Sequence, residues 1–240
     1  MNSGNYILVA DSHIREDSAD HFFEMLEAIR RYAPKGVVFL GDIFELWIAL
    51  DGYESEIHHR FLDWCRAAKP HFEVGFILGN HEFYVQERHR DAFTWMDENA
   101  HTTAGGIRFT HGDLINRDDR KYLFLRKVLR SWWVRFLLKI TSRAIGPKVA
   151  DRVRVSLKPT NLQHKRQLPL AYLEQYAENA AAENVQGIFM GHFHQHEILR
   201  FPEKRISAEI LPAWDMAEEI VRLTPDLRTE CGPWRKILSE

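Results

Sequence analysis

The sequence has few cysteines and no long apolar run, and both features exclude certain classes of protein. Cys65 and Cys231 are the two cysteines among 240 residues, and their spacing fits neither a disulfide framework nor a thiolate metal site. No stretch approaches about 18 uninterrupted apolar residues, so we expect no membrane-spanning helix. The N-terminus lacks a basic stretch followed by a long apolar run, so we expect no secretion signal and a cytoplasmic protein.

The charge of the chain is distributed unevenly. Hydrophobic residues make up 45% and charged residues 28%, as in ordinary soluble globular proteins. The overall net charge is −2, yet residues 117–166 hold 15 Lys or Arg against three Asp, a net charge of +12 that leaves −14 for the rest. This segment has helical patterns and no strand signal. We therefore predict a core of residues 1–116 and 167–240, interrupted by a basic helical insertion at 117–166.

Five short apolar runs end in polar motifs. Runs of this length are typical of buried strands, and they cover residues 6–10, 37–40, 76–78, 107–110 and 188–190. The motifs that follow them are Asp11-Ser-His13, Gly41-Asp42, Gly79-Asn80-His81-Glu82, His111-Gly-Asp113 and Gly191-His192-Phe-His194. Helical spacing of apolar residues at 19–32 and 170–182 alternates with these strands. The pattern predicts an α/β layered fold with its functional site at the strand ends.

The polar motifs together have the composition of a metal centre. Carboxylate, amide and imidazole groups are the ligands that divalent ions use when they act on phosphates. Two ions about 3.5–4 Å apart, sharing one carboxylate, activate a water molecule for attack on phosphorus. The sequence supplies two aspartates, one asparagine and four histidines at strand ends, namely Asp11, Asp42, Asn80, His13, His111, His192 and His194. No Ser or Cys nucleophile is required.

The order of these five motifs resembles the calcineurin-like metallophosphoesterase superfamily over nearly the whole chain. The resemblance implies a four-layer αββα sandwich and two divalent ions, with manganese the usual ion in vitro and iron or zinc as alternatives. It also implies that Asp42 bridges two ligand sets, one with Asp11, His13 and His194, the other with Asn80, His111 and His192. His81 would be the catalytic residue that contacts the phosphoryl group or protonates the leaving oxygen. We expect Glu82 to orient His81 or its neighbours, and Asp113 to orient His111.

A narrower resemblance concerns the substrate. The run from Gly41 to Ile48, the run from His111 to Tyr122, and Trp214 are similar to bacterial UDP-2,3-diacylglucosamine pyrophosphohydrolases of lipid A biosynthesis, which release UMP and lipid X. Those enzymes carry a basic helical lid where this chain has its insertion. Asp119, Tyr122, Arg154 and Asn161 match substrate-contacting lid residues by position. Two features depart from that family: it has Gly-Asn-Arg-Asp in place of Gly-Asn-His81-Glu82, and Leu157 and His164 replace a lid serine and lysine.

The segment 122–140 combines apolar and aromatic residues with basic ones. Such an amphipathic pattern suits a lipid tail or an anionic inner-membrane surface, and it equally suits a helix whose apolar face packs on the core. Binding to nucleic acid ranks lower because no nucleic-acid module accompanies it.

Three functional hypotheses follow. The first is hydrolysis of an acylated nucleotide sugar. The second is a metallophosphoesterase for another phosphomonoester, nucleotide or nucleic-acid substrate. The third is a binding module without catalysis, against which the complete ligand set argues.

Overall fold

The computed structural model describes residues 4–140 and 168–239, and its elements agree closely with the patterns of the sequence. The strands are β1 (Tyr6–Val9), β2 (Gly36–Phe39), β3 (Trp47–Ile48), β4 (Glu73–Ile77), β5 (Glu82–Phe83), β6 (Trp95–Asp97), β7 (Ala100–Thr102), β8 (Ile107–Thr110), β9 (Gly187–Met190), β10 (Glu197–Phe201), β11 (Ile206–Ile210), β12 (Glu219–Leu223) and β13 (Thr229–Pro233). The helices are α1 (Ala19–Tyr32), α2 (Glu56–Ala68), α3 (Val85–His89), α4 (Arg120–Leu129), α5 (Trp132–Ile140), α6 (Leu170–Ala182), α7 (Trp214–Ala217) and α8 (Trp234–Ile237).

The strands form two large sheets and one small one. The first sheet has the order β13-β12-β1-β2-β4-β6, and the second has the order β10-β11-β9-β8-β7. Strands β1, β2 and β4 run parallel in the first sheet, and β8 and β9 run parallel in the second. These five are the strands that precede the polar motifs. A short parallel pair, β3 with β5, forms the small sheet.

Three buried clusters show how the layers stack. Along β1 and β2, alternate side chains point to opposite faces. Ile7 and Val37 pack with residues of α1 and α2, whereas Leu8 and Val38 pack with Phe109 and Phe189 of the second sheet. The other face of that sheet packs against α6. The layers therefore run helix, sheet, sheet, helix, which confirms the predicted α/β fold.

The described part of the predicted insertion, residues 117–140, contains α4 and α5. Neither helix contains a fully buried residue. Leu129 and Leu138 pack against a small core cluster beside β3 and β5, but Trp132 is 79% exposed and Phe136 57%. Packing on the core thus accounts for only part of the apolar surface of these helices. Within 4–140 and 168–239, no helix is long and apolar enough to cross a bilayer.

Candidate metal centre

The seven predicted ligands meet where the five parallel strands end. Asp11, Asp42 and Asn80 follow β1, β2 and β4, while His111, His192 and His194 follow β8 and β9 of the facing sheet. His13 lies on the same loop as Asp11. Since the carboxyl ends of parallel strands lie at one edge, stacking the two sheets brings both sets of loops together.

The backbone at this edge is unusually strained. Five of the seven side chains belong to residues in the left-handed region: Asp11, His13, Asp42, His192 and His194, with φ between 43° and 70°. Such a conformation costs a non-glycine residue about 1–3 kcal/mol and persists where the surroundings impose it. Strain concentrated in this way is typical of functional sites.

The first ligand set contains Asp11, His13 and His194. His194 Nε2 lies 3.2 Å from Asp11 Oδ1 and 3.4 Å from His13 Nε2. Ligand atoms of the three residues all lie within 4.8 Å of one another.

The second set contains Asp42, Asn80, His111 and His192. The Asn80 Oδ1 atom is 3.2 Å from His111 Nε2 and 3.1 Å from His192 Nδ1. His111 Nε2 is 3.4 Å from Asp42 Oδ2. Because Asp42 also clusters with His13 and His81, its carboxylate lies between the two sets.

The donor set fits divalent cations. Asp11 Oδ1 and Asp42 Oδ2 are buried, and across the described residues neither accepts a hydrogen bond of good geometry. A buried carboxylate oxygen without such a partner is costly unless a cation satisfies it. Mixed carboxylate, amide and imidazole ligands suit manganese, iron or zinc and do not distinguish among them.

The electrostatics of the site also favour a cation. Burial raises the pKa of Asp42, but His81 and His111 lower it more, so that it lies well below its usual range. Burial lowers the pKa of His111, yet Asp42 and Asp11 outweigh that effect and raise it to about 10. Burial lowers the pKa of His13 to about 3, which keeps that imidazole neutral. The charged carboxylates and the neutral His13 are in protonation states that bind metals, whereas His111 would release its proton when a cation takes its place beside Asp42.

Hydrogen bonds to backbone groups hold the predicted ligands in place. His111 Nδ1 donates to the Leu40 carbonyl at 2.7 Å, which leaves Nε2 to face the centre. Asp11 Oδ2 accepts from the His192 N–H at 2.7 Å. The backbone N–H of Trp214 donates to the Ala10 carbonyl at 3.1 Å, directly before Asp11.

Glu82 holds the loop of Asp42. Its carboxylate is buried and accepts from the N–H groups of Asp42 and Ile43, both at 2.9 Å, and of Gly79 at 2.7 Å. The sequence predicted that Glu82 orients His81 or its neighbours. The target is the backbone of the Gly-Asp motif, about 40 residues away in the chain.

His81 is oriented toward the centre. Its Nδ1 donates to the Glu45 carbonyl at 2.5 Å, and its Nε2 lies 3.8 Å from Asp42 Oδ2. The side chain remains 12% exposed. A histidine fixed at one nitrogen and open at the other is arranged to exchange a proton or contact a phosphoryl group.

The predicted substrate residues lie partly outside the described ranges. Asp119 caps α4 by accepting from the Tyr122 N–H at 3.0 Å. Tyr122 donates its hydroxyl to Asp113 at 2.5 Å, and its ring centroid is 6.4 Å from that of His192. Arg154 and Asn161, with Leu157 and His164, belong to residues 141–167, which the structure does not describe.

Two arginines beside the centre were missed by the sequence reasoning. Arg126 Nε lies 2.9 Å from Asp113 Oδ2, and Arg130 donates to the Gly79 carbonyl at 2.6 Å. Their spacing with Tyr122, at positions 122, 126 and 130, marks one helix face. The spacing alone did not identify the two arginines, because the segment contains many other basic residues.

Gly79 is a close-approach position, and replacing it with alanine is expected to damage the centre. A Cβ there would lie 2.5 Å from the Asp42 backbone nitrogen and 2.8 Å from Glu82 Oε2. We expect Gly79→Ala to lower the free energy of unfolding by about 1–3 kcal/mol and to weaken manganese binding about 10- to 100-fold. Urea unfolding and titration calorimetry measure the two effects.

Gly105→Ala is the matched control, because a Cβ there would meet only Thr103 Oγ1, at 3.8 Å. Unchanged manganese affinity in Gly79→Ala would contradict the role of Gly79 in placing the Asp42 loop.

Comparison with known proteins agrees with this geometry. A family model described as calcineurin-like phosphoesterase matches residues 5–196. A protein named UDP-2,3-diacylglucosamine hydrolase from Enterobacter sp. (strain 638) is 25% identical, with 92% of this chain and 95% of the relative covered. Its namesake from Escherichia coli O1:K1 / APEC is 26% identical at the same coverage. The solved structure of an archaeal phosphodiesterase aligns with a TM-score of 0.50 at 10% identity, over 95% of this chain and 98% of the other, which supports the fold alone.

Proposed function

The chain belongs to the calcineurin-like phosphoesterase family and is a phosphoester hydrolase, and on that premise we propose that it cleaves the pyrophosphate bond of UDP-2,3-diacylglucosamine. The observation that carries the reaction class is the convergence of six predicted ligands around a seventh, Asp42. The relatives named for this substrate, which align along nearly their whole length, support the choice of substrate.

Two ligand sets would hold the ions. Asp11, His13 and His194 would bind one, Asn80, His111 and His192 the other, and Asp42 would contact both. Two divalent ions, manganese in our proposal, would supply positive charge for the phosphoryl oxygens and lower the pKa of a water molecule.

The other steps belong to the residues of this chain. His81, held through Nδ1 by Glu45, presents Nε2 to the phosphoryl group or the leaving oxygen. The Tyr122 ring lies near His192, and Asp119 caps the helix that carries Tyr122; we assign both residues to substrate contact. We assign Arg154 and Asn161 to the same role by their position in the sequence, and residues 117–166 to a lid over the centre.

The exposed apolar side chains of α5 support an acylated substrate. Trp132, Phe136 and Ile140 are 79%, 57% and 64% exposed. Exposed aromatic residues together with basic ones suit an acyl chain or the inner-membrane surface. These residues favour an acylated substrate over the alternative, which is another phosphomonoester, a nucleotide or a nucleic-acid phosphodiester.

The proposed substrate is tested by comparing the rates of hydrolysis of a small phosphodiester and of the acylated nucleotide sugar. With manganese bound, we expect the protein to hydrolyse both bis-p-nitrophenyl phosphate and UDP-2,3-diacylglucosamine. Trp132→Ala should lower kcat/KM about tenfold on the acylated substrate, equivalent to about 1.4 kcal/mol of binding, and leave the small ester unaffected. Leu170→Ala, which removes another exposed apolar side chain, on α6, is the control.

Activity on the small ester without activity on the acylated one would exclude the lipid substrate. Inactivity on both with metal bound would exclude the proposed catalysis.

A further inference from the structure

One face of α4 contacts the loops that carry the metal ligands. Tyr122, Arg126 and Arg130 recur every fourth residue, so they share one side of the helix and its C-terminal cap. Each of the three reaches a group within two residues of a predicted ligand or of the catalytic histidine. The basic insertion is thus connected to the centre through its own side chains.

Arg130 makes the most direct of these contacts. Its Nη2 donates to the Gly79 carbonyl at 2.6 Å and to the Glu82 carbonyl at 3.1 Å. These two carbonyls lie on either side of Asn80 and His81. A single guanidinium nitrogen therefore joins both ends of the turn that presents a metal ligand and the catalytic histidine.

The guanidinium group is itself held in place. Its Nη1 lies 2.5 Å from Glu98 Oε1, and the side chain is only 14% exposed. Its Cζ atom lies over the Phe83 ring, 6.0 Å from the ring centroid. Since a planar guanidinium fixed at one nitrogen orients the others, Glu98 determines where Nη2 points.

A second contact of the same face supports His111. Arg126 Nε lies 2.9 Å from Asp113 Oδ2, and the Tyr122 hydroxyl donates to the same oxygen at 2.5 Å. Asp113 follows His111 by two residues and is buried. The face thus contacts the loops of Asn80 and His111, two ligands of one ion.

We propose that Arg130 is a positioning residue, which acts from the insertion to hold the Gly79–Glu82 turn so that Asn80 and His81 face the centre. The proposal deepens the proposed function and rests on it for its kinetic consequence. Hydrogen bonds to the two carbonyls restrict the rotation of the peptide units around Asn80. Loss of them would misplace the amide ligand and the His81 ring without removing either.

The test compares Arg130→Met, Arg130→Lys and Lys127→Met. Lys127 is the matched control, because it is an exposed cation on the same helix whose loss removes the same charge. We expect Arg130→Met to weaken manganese binding at least about tenfold and to lower kcat on bis-p-nitrophenyl phosphate about 10- to 100-fold. KM should change less than about threefold, because the substrate contacts remain.

Arg130→Lys should recover part of both losses, since an ammonium group can donate to one of the two carbonyls. Lys127→Met should stay within about twofold of the wild type in affinity and kcat. Circular dichroism and thermal unfolding identify variants that remain folded, and calorimetry measures manganese affinity without any substrate.

Wild-type affinity and kcat in folded Arg130→Met would overturn the proposal, as would an equal loss in Lys127→Met. If Arg130→Met does not fold, Arg130→Lys decides, and wild-type values in that variant would overturn the proposal. Inactivity of every protein, with the expected order of manganese affinities, would reject the proposed hydrolysis and leave the positioning role supported.

Discussion

Asp42→Asn is expected to bind fewer than two manganese ions per chain and to lose more than about 100-fold in kcat. The substitution preserves the shape of the side chain but removes its negative charge and replaces one carboxylate oxygen by an NH2 group, which does not bind a cation. Even partners that contact only a ligand contribute about 10- to 100-fold to affinity or activity, so a shared ligand should contribute more. Elemental analysis after gel filtration gives the ion count, and hydrolysis of bis-p-nitrophenyl phosphate gives kcat.

Glu209→Gln is the control for this variant. Glu209 is another buried carboxylate, paired with His196 at 3.0 Å outside the centre. Bound manganese should raise the thermal midpoint of the wild type and of Glu209→Gln by a similar amount, because a ligand stabilises the state that binds it. The rise should be smaller for Asp42→Asn. Two ions and wild-type kcat in Asp42→Asn would refute the shared-ligand role.

Much of the fold could be predicted because burial imposes a period on local sequence. The helix predicted for residues 19–32 coincides with α1, and that for 170–182 coincides with α6. Strand β8 was likewise predicted with its observed bounds. The division of the strands between two sheets was not derivable from periodicity, because a pattern identifies the buried faces of a strand without identifying its neighbours. Strands β10 to β13 were not predicted, because their apolar runs are weaker.

The convergence of the ligands was predictable for a related reason. Each strand ends in a short loop, and the strand therefore fixes the position of the motif that follows it. Long-range contacts between side chains and backbone were not predictable. Glu82 binds the loop of Asp42, and Arg130 binds the carbonyl of Gly79. Nothing in the sequence near Gly79 indicates a partner 51 residues away.

These unpredicted contacts explain how the strained loops persist. Asp11, Asp42 and His192 have positive φ values. Each is hydrogen-bonded to another loop of the site: the Asp42 N–H donates to Glu82, and the His192 N–H donates to Asp11. Contacts from neighbouring loops offset the strain of each loop, so we expect the loops to lose their native conformation together. We therefore interpret the centre as one cooperative unit rather than as seven independent ligands.

His81→Gln is expected to lower kcat by an amount that depends on the leaving group. If His81 protonates the leaving oxygen, the loss should be about 100- to 10,000-fold on an ester with a poor leaving group. The loss should be much smaller for p-nitrophenolate, which departs without a proton. If His81 only contacts the phosphoryl group, both esters should lose the same factor. Steady-state rates on a phenyl and a p-nitrophenyl ester separate these roles.

Both roles fit the geometry. The Glu45 carbonyl accepts from Nδ1, so Nε2 is the ring nitrogen that faces the centre. His101→Gln is the control, since His101 is a half-buried histidine paired with Asp97 at 2.8 Å outside the centre. Manganese affinity should be retained in both variants, because His81 is not assigned as a ligand. A loss of affinity in His81→Gln matching that in Asp42→Asn would instead make His81 a ligand, since His81 also clusters with Asp42 and His13.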